Sequence, residues 1–522
     1  MIIKTNHEKK GSKTKMKHAS KFLCLLLVAV TALGCMFSFA SCQTKTNEEE
    51  TQSNQSTTAI TGDPNSEQEY YRPAEVDFED YDYKLLADSN TFGQALYVYE
   101  SDATPHEVVD YAIWCRQNML AEKHGINMSV IVEGNNTFSK LSTAITTNVA
   151  DYCQGAILVP KDLATAAASG YLRDLNTLDE LNLEASYWDQ RIQKEFDING
   201  HLFGLTGEYS CGDDLVTMVT LYNDTAYKQF DFYEKYGSPY QLSAEGKWTY
   251  EMMMTMIKDT SHEVEVNGEM DKSDFWGFVT ESVAPYYFFL GSGQKYILND
   301  SGKLSFAAEN DTVWQTNYDI LKDVMEMCTN EDVFIANRDA AGQGDVWSIA
   351  SQIFSTNRAL FRSTTLSATL RLLDMEDDYG IMPVPKYYEG QADYYCMCST
   401  AAFTIPICVS DSHKSAQAIE FISYYSLYMG GDSLNYAFYD LLAFARLCRT
   451  SDDVNMLKLV FANKTYDVDY AAGFTGIRDA THNMVLKDEY TALYSTIAAV
   501  KTSANTKIQD FIVKVESNLK KD

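Results

Sequence analysis

Residues 126–132 alternate as a strand does, residues 138–148 read as a helix, and residues 151–159 read as the next strand. That order confines the chain to a sheet with helices laid across it. The pattern starts earlier, with a strand expected at 95–99 and a helix from Pro105. Val109, Ala112, Ile113, Met119 and Leu120 mark that helix, which stops near Gly125. The chain has 522 residues, more than one hydrophobic core organises, so two α/β domains are expected. Ile508, Phe511, Ile512, Val515 and Leu519 draw one stripe down a final helix.

The N-terminal segment has its own composition. Seven lysines and one acid, Glu8, give residues 1–41 a net +6, so the rest carries −37, six units beyond the whole chain's −31. A surface of that sign repels nucleic acid and anionic lipid. After Lys21 an apolar run occupies 22–40, Ala40-Ser41-Cys42 closes it, and Gln43 onward is abruptly polar. Basic, apolar and small segments in that order read as a secretion signal. The ending resembles the lipobox of bacterial lipoproteins, which implies that Cys42 is lipidated and becomes the first residue of the mature chain. Ala32-Leu33-Gly34-Cys35 is a rival cut that would leave 36–40 apolar beyond it. Residues 42–83, rich in Asn, Thr, Ser, Gln and Glu, read as a disordered tether. Export permits disulfides, but the spacing of the eight cysteines after Cys42 assigns none.

Six local phrases go beyond periodicity. The stretch 167–175 places Gly170 at a helix end before Leu172 and Leu175. Gly200-His201-Leu202-Phe203-Gly204-Leu205 reads as a hairpin. Leu221-Tyr222-Asn223-Asp224 ends a strand, and Trp248-Thr249-Tyr250-Glu251 opens a helix with Thr249 as N-cap. Tyr379-Gly380-Ile381-Met382-Pro383-Val384-Pro385 is a strand halted by prolines. Phe403-Thr404-Ile405-Pro406 precedes a helix carrying Ala416, Ile419, Phe421 and Ile422. In this order they resemble the family 1 extracellular solute-binding proteins of ABC transporters, which include maltose- and oligosaccharide-binding members. The resemblance spans roughly residues 84–515; the segment 330–350 does not fit it.

That resemblance implies a two-lobed α/β fold of the periplasmic-binding-protein type, with the ligand in a cleft that the lobes close over. The first lobe would take 84–221 and 400–447, the second 222–399 and 448–522. It implies a monomer anchored at the outer membrane face, working with ABC permease subunits on a mono- or oligosaccharide, without a cofactor or metal. A peptide, polyamine or other cation is an alternative ligand, which the −37 charge would suit.

A polysaccharide hydrolase is the competing class, and its motifs are missing from the sequence. Gly207 to Gly212 has the wrong spacing around Ser210 for a nucleophile elbow. His106-Glu107 and His262-Glu263 are not followed by the second histidine of a zinc site. Paired acids could serve glycoside hydrolysis, but Asp213-Asp214 and Asp377-Asp378 are expected in solvated turns. Asn299-Asp300-Ser301-Gly302 reads as a hairpin turn.

A sugar site needs ring faces for stacking and polar groups for hydroxyls, placed at the C-terminal ends of strands. Aromatics are abundant, with 35 Tyr, 25 Phe and 6 Trp. Candidate ligand contacts are Gln154, Gly155 and Ala156, where the resemblance puts first-lobe contacts. Gly155 replaces the aromatic of maltose binders. In the second lobe they are Glu281 with Tyr286 and Tyr287 after the strand at 277–279, and Arg362, Ser363 and Thr364 after the strand at 359–361. Trp188 and Trp347 are further candidates. No residue is assigned a catalytic role.

Overall fold

The computed structural model describes residues 72–88, 96–101, 103–134, 136–264 and 266–520. Gln68–Asp522 forms one compact unit; the other, Met1–Glu67, lies outside the described residues, and with it the signal segment and Cys42.

The first lobe begins with β1 (Tyr81–Ala87), whose first three residues fall within the segment expected as tether. The physical reason is visible in the side chains: Phe78, Tyr83 and Leu85 are buried, so the polar stretch ends before residue 78. Helix α1 (Val108–His124) ends on Gly125 at φ 67, whose N–H returns to Ala121, and the reversed chain enters β2 (Ile126–Val132). After α2 (Thr137–Thr146) comes β3 (Gly155–Leu158), buried at every residue, then α3 (Pro160–Ala168), opened by proline at its first turn. The strand expected at 95–99 is absent over the described residues 96–99. Leu96, Tyr97 and Val98 instead bury themselves from a turn and loop.

The second lobe opens with β4 (Met218–Asn223), so the chain has crossed before residue 222. Next come α4 (Tyr250–Ile257), capped by Thr249 as expected, β5 (Trp276–Thr280) and α5 (Ala284–Gly291). A hairpin of β6 (Ile297–Asp300) and β7 (Lys303–Phe306) turns at Ser301–Gly302. The unplaced segment 330–350 holds β8 (Val333–Ile335) and leads into α6 (Val346–Ser355), whose N-cap is Asp345. Then follow β9 (Ala359–Thr365) and β10 (Tyr379–Met382). The sheet order is β10-β4-β9-β5-β8.

The chain recrosses at β11 (Cys396–Met397) and adds β12 (Ala402–Thr404) to the first sheet, completing the order β12-β3-β1-β2. Helix α7 (Ser412–Leu427) packs on α1. The third crossing is α8 (Ser451–Ala462) followed by β13 (Lys464–Thr465), which pairs in parallel with β11. Beyond it, α9 (Val468–Ala472) packs on α3 of the first lobe, and α10 (Ile477–Lys487) leads to α11 (Leu493–Leu519), which carries the expected stripe. Among the described residues no helix is long and apolar enough to cross a membrane.

Candidate functional site

The three crossings meet at a hinge. Thr217 bridges Cys398, and β11 pairs with β13. Into this junction Lys464 sends its ammonium, 2.6 Å from Asp213 and 2.5 Å from Asp214. Tyr439 donates to Asp214 at 2.6 Å. Asp213 and Asp214, expected in a solvated turn, are therefore buried and ion-paired, because the third crossing delivers a cation that no local motif announces. Beside them, Asp189 is held down to about 2, its burial overcome by Arg191.

Above the hinge, the C-terminal end of β5 carries a polar and aromatic group. Ser282 Oγ hydrogen-bonds with His482 Nδ1 at 2.6 Å and accepts from Asn337 Nδ2 at 2.6 Å, which fixes the β5–α5 turn. Tyr287, half-buried on α5, has Tyr470, Glu281 and Arg478 as its electrostatic neighbours. The Arg478 guanidinium lies over the Tyr470 ring, 4.9 Å from its centroid. Two tyrosine rings and a guanidinium form a partly exposed wall suited to the faces and hydroxyls of a sugar. Tyr470 rides on α9, and α9 packs on α3, the helix that starts where β3 ends. A crevice of only about 10 Å³ separates α3 from α9, no more than one water would fill. In the first lobe, Asp88 follows β1 directly and Asp162 stands in the first turn of α3, its carboxyl raised by burial.

The candidates read from sequence divide. Glu281 sits at the end of β5 as expected, 3% exposed, its Oε1 without a protein partner, and burial raises its carboxyl to about 7. Arg362, Ser363 and Thr364 lie inside β9 rather than beyond it, because β4 and β5 pair with that strand on both sides. Strand alternation puts Arg362 and Thr364 on the Glu281 face and Ser363 on the other. All three are fully buried. Tyr286 and Tyr287 lie on a helix, not an extended segment. The Tyr286 hydroxyl donates to Asp467, and the ring is core; Tyr287 joins the wall.

Gln154, Gly155 and Ala156 stand at the N-terminal end of β3, opposite the expected one. The strand is shorter than the apolar run, so its beginning was placed too early. Gln154 accepts from Lys84 N–H at 3.0 Å and lines a polar pocket of about 270 Å³ with Tyr81, Asp151 and Asp411. Gly155 is pressed against Phe403, whose ring lies 2.4 Å from where a Cβ would stand. Trp188 is buried and donates to Glu420; Trp347 is exposed. Tyr470 and Arg478 stand beside Tyr287, and no motif in the sequence marks them. Among the described residues no cluster of His, Cys, Asp or Glu suits a metal ion.

Acids raised by burial set the response to pH, four of them into the neutral range. Burial raises Asp213 to about 6, Glu281 and Asp469 to about 7 and Glu208 to about 8. Unfolded, such groups titrate near pH 4. The folded state therefore binds more protons across this window, and stability is lost as pH rises through the folded values. His124 and His482, lowered by burial, oppose this below their ordinary range. Four acids outweigh two imidazoles, so the melting temperature should be higher at about pH 5 than at about pH 8. A higher value at pH 8 would contradict these assignments.

The two sheets joined by three crossings give the chain the two-lobed α/β fold of periplasmic-type substrate-binding proteins. Solved structures share it, among them two complexes. A cyclo/maltodextrin-binding protein complexed with maltotetraose matches with TM-score 0.52 and 12% identity over 82% of this chain and 96% of that one. An ABC substrate-binding protein of Listeria monocytogenes in complex with cycloalternan matches with TM-score 0.52 and 14% identity over 82% of this chain and 98% of that one. No protein-family model matches the chain, and no curated protein sequence does.

Proposed function

We propose that this chain is an exported, lipid-anchored solute-binding protein of an ABC importer that captures an oligosaccharide by closing its lobes. The observation that carries this reading is the wall of Tyr287, Tyr470 and Arg478, carried on α5, α9 and α10 beside Glu281 at the end of β5. Both structural neighbours were solved with oligosaccharides, which supports a sugar as ligand. The basic-apolar-small order ending at Cys42 supports export and the anchor.

Each part of the machinery has a task. The hinge ions hold the crossings together while the lobes rotate about them. The wall stacks on the sugar ring, and Arg478 donates to its hydroxyls. Asp88 and Asp162 supply acceptors from the first lobe. A ligand that touches both lobes only when they are closed shifts the population to that state. Nothing in the site needs to form or break a covalent bond.

Small-angle scattering of the described unit tests this. Saturating oligosaccharide should change the scattering curve in the direction of a smaller radius of gyration. An unchanged curve at a saturation confirmed by calorimetry would contradict capture by lobe closure.

A further inference from the structure

Eight cysteines follow Cys42, and all are free thiols in this structure. For six of them burial is the main influence and no second cysteine is among the groups acting on the thiol. Cys153 and Cys408 differ. The chain leaving β12 runs back along the start of β3, and Asp151 N–H donates to Cys408 C=O at 2.9 Å. Cys153 is fully buried in the apolar cluster that contains Leu86, Ala156 and Leu158, and half-buried Cys408 packs against the same cluster. The two thiols thus lie on adjacent stretches of chain against one apolar cluster, and each is the leading side-chain influence on the other's ionisation.

We propose that Cys153 and Cys408 are the redox-active pair of this chain and join as a disulfide when a disulfide donor is present. Their environments assign the order of steps. Cys408 is half-buried where Cys153 is fully buried, so a donor reaches Cys408 first, and the influence of each thiol on the other lowers Cys408 and raises Cys153, which favours the Cys408 thiolate. The Cys408 thiolate attacks one sulfur of the donor and releases the first donor thiolate, leaving a mixed disulfide. Cys153 then loses its proton and attacks the Cys408 sulfur, expelling the second donor thiolate. Two cysteine thiols are oxidised by two electrons, and one donor disulfide is reduced to two thiols. Buried Cys153 never has to meet the donor.

The bond would fix the first lobe's returning strand to β3. It would also close a loop containing the whole second-lobe sheet, from β4 to β10. Cross-linking so long a loop restricts the unfolded chain strongly. An exported protein meets disulfide donors outside the reducing cytosol.

The test uses the full chain, reduced and then exposed to oxidised glutathione. Two thiols per chain should disappear in a thiol titration, and proteolysis without reductant should release one cross-linked peptide carrying Cys153 and Cys408. The melting temperature should rise by about 5 °C. Cys408→Ser and, separately, Cys153→Ala should each abolish the cross-link, while Cys396→Ser should keep it. Absence of the linked peptide after oxidation would overturn the proposal, as would a thiol loss that persists in Cys408→Ser. Both readouts are independent of ligand binding, so this proposal and the transport reading fail separately.

Discussion

Lys464→Met should lower the unfolding free energy by roughly 3–5 kcal/mol, because it leaves two adjacent carboxylates buried without their cation. Lys464 is 7% exposed, and Asp213 and Asp214 are 7% and 3% exposed, so water cannot replace it. Urea denaturation should show the loss as a lower midpoint at unchanged slope. The deficit should shrink as pH falls from about 8 to 5, since protonating the orphaned acids relieves the penalty. Adding Asp213→Asn and Asp214→Asn to Lys464→Met should recover most of the stability. A single variant as stable as the parent at pH 8 would mean that the triad does not hold the hinge.

Tyr287→Ala should weaken binding of the captured sugar about thirtyfold. Removing a stacking ring from a desolvated site costs about 2 kcal/mol, and each 1.4 kcal/mol is tenfold in affinity. Tyr286→Ala should behave differently. Tyr286 is buried, its hydroxyl serves Asp467, and its ring packs 6.3 Å from that of Tyr470, so its loss opens a cavity. It should therefore lower stability by roughly 3–5 kcal/mol. If Tyr287→Ala binds like the parent, the wall is not the ligand platform.

Local chemistry was readable in the sequence where it acts locally. Thr249 caps α4, the prolines after Met382 end β10, and Gly125 reverses α1 into β2. The first strand was legible too: Tyr81, Tyr83 and Leu85 alternate with Asp82 and Lys84, but the acidic flank made the stretch look like tether. Over 96–99 the apolar run has no strand to pair with, and burial of Leu96, Tyr97 and Val98 explains it. The site was harder to read because its parts meet through the third crossing. Lys464 is 251 residues from Asp213, and Tyr470 and Arg478 come from the same late segment. Only the fold brings them to β5. The place of Glu281 was legible because a strand end is a local signal, whereas Gln154 lies at the other end of β3 from the one expected because an apolar run does not show where pairing begins.

Calorimetric titration of the described unit with maltotetraose, cycloalternan and spermidine tests the central claim most directly. The account predicts saturable binding of an oligosaccharide, the sugar recovered intact afterwards, and no comparable heat from the polyamine. Binding of spermidine alone, or recovery of a cleaved sugar, would contradict it.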